Sequence, residues 1–486
     1  MFERLADIRM HRAWRVTAVL ATLWSCALLP ALAARTDPFD AGFLASRHRD
    51  AHGNQRLKVA GPFFEAAQST QGWRLVAFRP FYSKVEDPAN DRARQDYLWP
   101  LGSSRTIGPE EQTRILIFFS FKHGEDRPER RHRFWLLPFY FSGRDAQGDT
   151  YRAVFPFGGT IREFLGRDEI SFVLFPLRST SKLNDLETSN WLWPFISRTT
   201  GSKVERERIF PFYGRSYREG QYEKHFVMWP LWTDVEYFYP GSAGKGFILF
   251  PLYGHTKLED QETWMLIPPF FRYTKGERAT RLLAPWPFIQ RATGDVDKFY
   301  LWPLWGHRAQ GKTETTFYLW PIVWDQTSLR GDVRQDRFIV APFYFHSKEG
   351  ITNEPPQKRE VKVWPLFSYR RAGEDSFFRT LALWPLADYS AVERNWAPLW
   401  TLYSSSRHED SVDRELLWGL HRDLKRGDEE RRWSLFPLWD WHRESDGKSW
   451  SFLKGLLGRS RNDSNVEWRV LFFFKFGDKP EQEIEP

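Results

Sequence analysis

Cysteine is almost missing from this chain. Cys26 is the only one in 486 residues, and it lies in an N-terminal apolar run. Disulfide frameworks, thiolate metal sites and cysteine nucleophiles are therefore excluded for everything that follows it. The usual catalytic signatures are missing as well. There is no His-Glu-x-x-His, no Gly-x-Ser-x-Gly, no glycine-rich phosphate loop and no calcium loop. No stretch beyond the N-terminus keeps apolar residues at i, i+3, i+4 and i+7, so almost no helix is expected. Charge of one sign is lacking too. Lys and Arg number 70 against 62 Asp and Glu, and both signs share the same loops, as in Arg127-Pro-Glu-Arg-Arg-His-Arg133. A nucleic-acid groove needs a one-sided basic stripe, so a nucleic-acid partner is not expected.

What the chain has in excess is aromatic residues, 17% of the total with 25 Trp, and they are arranged periodically. Phe299-Tyr-Leu-Trp-Pro-Leu-Trp-Gly-His-Arg308 is followed at once by Phe317-Tyr-Leu-Trp-Pro-Ile-Val-Trp-Asp325. In each repeat a few large apolar residues lead into a proline, more follow, and a polar residue ends the run. Such repeats recur from Pro62 to Pro437, with Phe119, Gly419, Gly455 and Phe473 standing where four further prolines would be. That makes about 23 repeats at a period of about 19 residues. The step from Pro385 to Pro398 is the shortest.

Short aromatic runs between polar turn residues read as strands, and linkers of this length suit hairpins. Proline cannot donate to a sheet ladder, so it marks a bend or bulge in each strand. The expected fold is all-β: a repetitive antiparallel meander of about 23 proline-kinked strand units, wide, and closed or nearly closed. The alternative is a β-solenoid, disfavoured because so many Trp and Phe would crowd its interior.

The expected organisation is a signal peptide over residues 1–33, a polar leader over 34–56, one β-repeat domain over 57–476 and a disordered acidic tail over 477–486. Arg4, Arg9, Arg12 and Arg15 precede the apolar Val16–Leu29 run, and Ala31-Leu-Ala33 supplies a small-x-small cleavage pattern. A retained membrane anchor is the competing reading. Export to a bacterial periplasm or outer membrane follows from a cleaved signal.

Site chemistry is sparse. His255, His307, His346 and His442 fall at similar offsets after their prolines, but without close ligand spacing they read as solvated strand ends, and no metal site or cofactor is expected. Carboxylates lie beside basic partners with no privileged facing pair, so neither a glycosidase nor another enzyme is expected. Trp229, Trp302, Trp305, Trp320, Trp364, Trp384 and Trp400 flank the prolines. Buried, they are core; exposed in a row, they form a stacking platform or an acyl slot.

The function these features favour is a non-enzymatic envelope scaffold binding an apolar ligand, lipid, glycan or envelope protein. An outer-membrane β-barrel is the alternative. Against the barrel, both faces of Phe299–Gly306 are apolar, whereas a water-filled lumen requires one polar face. Its apolar run of about seven residues is also short of the roughly 9–11 a spanning strand needs.

Overall fold

The computed structural model describes residues 39–116, 118–123, 132–145, 147–445, 447–462 and 465–477. The expected signal peptide and the tail beyond Gly477 lie outside these residues. Among them the chain is almost entirely β, with 46 strands from Phe39–Ala41 to Phe474–Gly477. Contacts group it into two units. The first unit joins the residues up to Pro100 with those from Pro365 onward, and the second is Leu101–Trp364.

In the second unit every strand pairs antiparallel with the next one along the chain, as in Val296–Leu301 with Trp305–Gln310 and the latter with Thr313–Tyr318. This is the expected meander, and antiparallel pairing of sequence neighbours excludes the solenoid. Each repeat is a strand, a break and a second strand. The break, however, is a complete reversal rather than a bend. Leu301 and Trp305 sit opposite one another in the ladder, so Trp302-Pro303-Leu304 is the whole connection. The peptide bond before Pro303 is cis, as it is at most of the other repeats. The amide of Leu304 donates to Leu301 at 2.8 Å, which closes a turn with a cis-proline at its third position.

Proline reversals alternate with polar ones. Strand Trp305–Gln310 leaves through Gly311-Lys312, Ile196–Gly201 through Ser202-Lys203, and Val323–Arg330 through Gly331-Asp332. The aromatic-proline turns of the repeat in the second unit therefore lie along one edge of the meander, and the other turns, including those that contain Pro109, Pro240 and Pro355-Pro356, lie along the other. The apolarity that covers both faces of Phe299–Gly306 thus belongs to a turn and two strand ends. Farther from the turn the same strands carry Asp297, Lys298, Arg308 and Gln310. The apolar core of this unit gathers around Phe141, Ala153, Ile161 and Phe172. Elsewhere polar residues pair across strands, as in Thr188–Thr199 and Thr263–Thr274, both at 2.9 Å.

In the first unit the strands from Phe39 to Tyr97 form one meander and those from Phe367 to Gly477 another. No ladder joins Phe39–Ala41 to Phe474–Gly477 among the described residues, so hydrogen bonds do not close the structure there. The N-terminal meander begins inside the segment read as a leader, with strands Phe39–Ala41 and Ala45–Arg49. Their turn, Gly42-Phe43-Leu44, is a further apolar reversal, with Phe43 where the repeats carry proline. Pro385 and Pro398, in contrast, do not make separate strand breaks. Strands Asp375–Thr380 and Tyr403–His408 pair directly. Residues 381–402 between them form one insertion carrying the short helices Ser390–Asn395 and Ala397–Trp400. The irregular step between those two prolines is the trace of that insertion.

Gly42 shows how tightly the apolar turns fit. Its φ is +60°, and an added Cβ would lie 2.4 Å from the Phe436 ring. Gly42→Ala should therefore destabilise the first unit by about 2 kcal/mol or more, combining left-handed strain with overpacking. A shift in the urea midpoint measures it.

Candidate functional sites: an apolar turn edge and a buried ionic seam

The proline edge of the second unit exposes its side chains. Leu177, Phe195, Phe212, Leu231, Leu252, Leu304 and Phe343 each follow a proline and are about half exposed or more. Within the turns Leu174–Leu177, Leu192–Phe195, Met228–Leu231, Ile267–Phe270 and Leu319–Ile322 there is no charged residue.

The backbone explains why proline recurs here. In Leu319-Trp320-Pro321-Ile322 the Leu319 amide donates to Leu304, the Trp320 amide to Pro303 and the Ile322 amide to Leu319, at 2.7, 2.7 and 2.8 Å. Pro321, the remaining residue of the four, has no N–H to satisfy. The same three bonds recur at Leu174–Leu177, Leu192–Phe195 and Met228–Leu231, with each turn bonded to the turn before it. The edge is thus apolar in its side chains and satisfied in its amides.

Of the seven tryptophans singled out from the sequence, none is buried. Trp229, Trp305 and Trp320 are exposed, with Trp229 the most at 53%. Trp302, Trp364, Trp384 and Trp400 are half-buried. Trp302 and Trp320 pack together at 5.7 Å between ring centroids, while Trp229 packs on Phe210 and Trp364 on Phe343. Trp384 and Trp400 belong to the 381–402 insertion of the first unit and are not part of this row.

The four histidines do not converge on one another. His255 meets Glu262 at 2.9 Å and His307 meets Thr316 at 3.1 Å, each on the neighbouring strand. His442 lies beside Glu430 and Glu444, and His346 beside Tyr344.

The first unit holds an arrangement with no counterpart in the repeat pattern. Side chains of its N-terminal strands meet those of its C-terminal strands through buried charges. Asp50, Arg56, Glu65 and Arg79 form a chain of ion pairs at 2.8, 2.8 and 2.5 Å. Arg79 continues to the carbonyl oxygens of Pro62 and Arg394. Lys58, beside Glu65 in the ladder, pairs with Glu415, which also accepts from Arg422 at 3.3 Å. The helical insertion joins the seam. Asn395 bridges Ser83 and Asp96, Arg394 pairs with Asp96, and Arg379 holds Glu393 and Asp388. Pairs more than 300 residues apart carry no sequence spacing, so pattern reading could not find them.

Burial by itself would raise the Glu65 carboxyl, but the charges of Arg79, Arg56 and Lys58 prevail and hold it well below its ordinary range. Burial likewise opposes Glu415, and Lys58 with Arg422 bring it down to about 2. Burial, reinforced by Arg422 and Lys58, pushes the neighbouring His48 imidazole well below its ordinary value and keeps it neutral. Burial raises Asp413 against the pull of Arg422. At 3.9 Å, His48 and Asp413 are too far apart for a hydrogen bond.

These shifts set the acid response. An unfolded chain protonates histidine near 6.5 and glutamate near 4.5, while folded His48, Glu65 and Glu415 resist protonation until lower pH. Stability is then lost as pH falls, because the unfolded state binds more protons. Asp413 acts in the opposite sense, since the folded state takes up its proton first. The thermal midpoint should begin to fall near pH 6.5 and drop more steeply below about pH 4.5, which a thermal series from pH 7 to pH 3 reads directly.

Fold and sites together define an all-β meander repeat with an aromatic, proline-turned edge. Comparison with protein-family models and with curated proteins gave no match.

Proposed function

We propose that the chain is a non-enzymatic β-repeat scaffold of a bacterial envelope that seats the proline edge of its second unit on lipid. The observation supporting this reading is the combination found at that edge: exposed leucine, phenylalanine and tryptophan side chains over backbone amides already bonded within the row. Unsatisfied backbone groups make entry into a hydrocarbon phase costly, and the N–H groups of these turns are bonded within the row. Contiguous exposed apolar surface of this kind marks lipid or protein contacts. The opposite edge, with Asp185, Lys203, Lys312 and Asp332, suits water. A formal charge of +8, or +6 once the four Arg, one Glu and one Asp of the expected signal are removed, adds attraction to anionic headgroups.

The second reading, a β-barrel crossing the outer membrane, draws on the strictly sequential antiparallel pairing, which is barrel connectivity. Most strands have only five or six residues, and their apolar residues crowd one edge rather than the strand centre. That pattern suits a structure resting in one leaflet. No helix among the described residues is long and apolar enough to cross a membrane, a fact that leaves barrels untouched.

Flotation of the full chain with phosphatidylglycerol-containing vesicles tests the proposal. Binding that a carbonate wash reverses supports it. Absence of binding overturns it, and membrane association released only by detergent favours the barrel.

A further inference from the structure

We propose that His52, Asp375 and His408 form a binding site for a divalent transition metal of the zinc class in the first unit. His52 lies in the turn between strands Ala45–Arg49 and Gln55–Val59. Asp375 opens the strand Asp375–Thr380, and His408 closes Tyr403–His408. All three therefore stand at polar turns, on the side of their strands away from the apolar reversals.

The geometry is convergent. His52 Nε2 lies 3.1 Å from Asp375 Oδ1, and His408 Nδ1 lies 2.6 Å from the same oxygen. Two ring nitrogens from distant parts of the sequence thus reach one carboxylate oxygen, and the two imidazoles stack at 4.6 Å between centroids with an interplanar angle of 25°. All three donor atoms fit within 4.8 Å of one another. Donors around a tetrahedral zinc ion are spaced about 3.3 Å apart, given bond lengths near 2.0–2.1 Å. To hold an ion, the His408–Asp375 contact must open slightly and the stacked rings must tilt apart so that both in-plane lone pairs meet it. Two imidazoles and a carboxylate are a donor set that zinc, nickel and copper accept, and that calcium and magnesium do not favour.

The surrounding charge is negative. Hydrogen bonding to Asp375, with Glu409 and Glu374 nearby, raises the His408 pKa, and the hydrogen bond from His408, with the nearby His52, lowers that of Asp375. The same carboxylates that favour an imidazolium would favour a dication in its place. A bound ion would tie the N-terminal hairpin to the C-terminal strands at the polar end of the unit. It would add a clip independent of the ionic seam.

The test is titration of the purified full chain with Co²⁺ and Zn²⁺, reading Co²⁺ visible absorption, bound Zn²⁺ and the thermal midpoint. One site with Co²⁺ absorption and a zinc-dependent rise in midpoint is expected. His52→Ala and Asp375→Asn should each weaken binding at least tenfold, while leaving the midpoint of the metal-free protein nearly unchanged, because both residues are solvent-accessible. His442→Ala separates this site from the Glu430–His442–Glu444 group and should leave binding intact. Unchanged affinity in His52→Ala, or loss of the site in His442→Ala, would overturn the proposal. If His408→Ala does not fold, His52→Ala decides the matter, since His52 sits in an exposed turn.

Discussion

Glutamate in place of Leu177, Leu252 and Leu304 together should lower vesicle binding by about a thousandfold. The three residues follow prolines in separate turns of the second unit, and each is more than half exposed. Fully burying a leucine side chain contributes about 1.5–3 kcal/mol, so losing three that are about half exposed removes about 2–5 kcal/mol, and the cost of bringing three carboxylates to the hydrocarbon takes the loss to about three decades of affinity. The fold should tolerate the change, because exposed substitutions away from buried features usually shift stability by no more than about 0.5 kcal/mol. The turn-to-turn amide bonds do not depend on these side chains. Asp185→Asn with Asp332→Asn, at the polar edge, is the control and should alter binding by less than about twofold, since it leaves the apolar surface whole. Quantitative flotation measures both. A triple variant that still binds like the parent would show that the proline edge is not what meets lipid.

The ionic seam predicts the other large effect. Glu65→Ala should destabilise the first unit by about 3–5 kcal/mol, because it strands the buried guanidinium groups of Arg56 and Arg79. Glu65→Gln keeps an acceptor and should cost less. The expected loss is confined to one of the two contact-defined units, and a global unfolding midpoint gives its size but not its place. Hydrogen exchange resolved along the chain is better: protection should fall over residues 55–97 and 375–435 and remain over 101–364. A uniform loss across both units, or none, would contradict the picture of a local seam. Replacing Glu65, Arg56 and Arg79 together by apolar residues of similar volume could restore much of the stability, since a buried ion network contributes less in total than removal of one member suggests.

The two experiments probe features of opposite legibility. The proline edge is written in the sequence. An aromatic run, a proline and a second apolar run recur at nearly constant spacing, and the alternating polar linkers fix both strand type and meander. Even Gly419 and Gly455 could be recognised as substitutes for proline, and they serve in the same way, with φ of +106° and +122° in apolar reversals. The structure revised the reading where local pattern is ambiguous. Proline in an apolar run is compatible with a bend or with a reversal, and the choice rests on the ladder partner. Gly42-Phe43-Leu44, set between Ala41 and Ala45, lacks the proline that marks the repeats, and Pro385 and Pro398 look like two repeats although a helical insertion carries both.

The sequence by itself therefore determined the fold class, the strand-and-turn rhythm and the absence of cysteine chemistry, because these depend on residues near one another in the chain. Exposure of the tryptophans, the Glu65–Arg79 seam and the meeting of His52 with Asp375 and His408 were decided only by tertiary structure. Whether a side chain is covered, or a charge paired, depends on which distant strand lies against it. No periodicity records that a residue near 50 will meet one near 400.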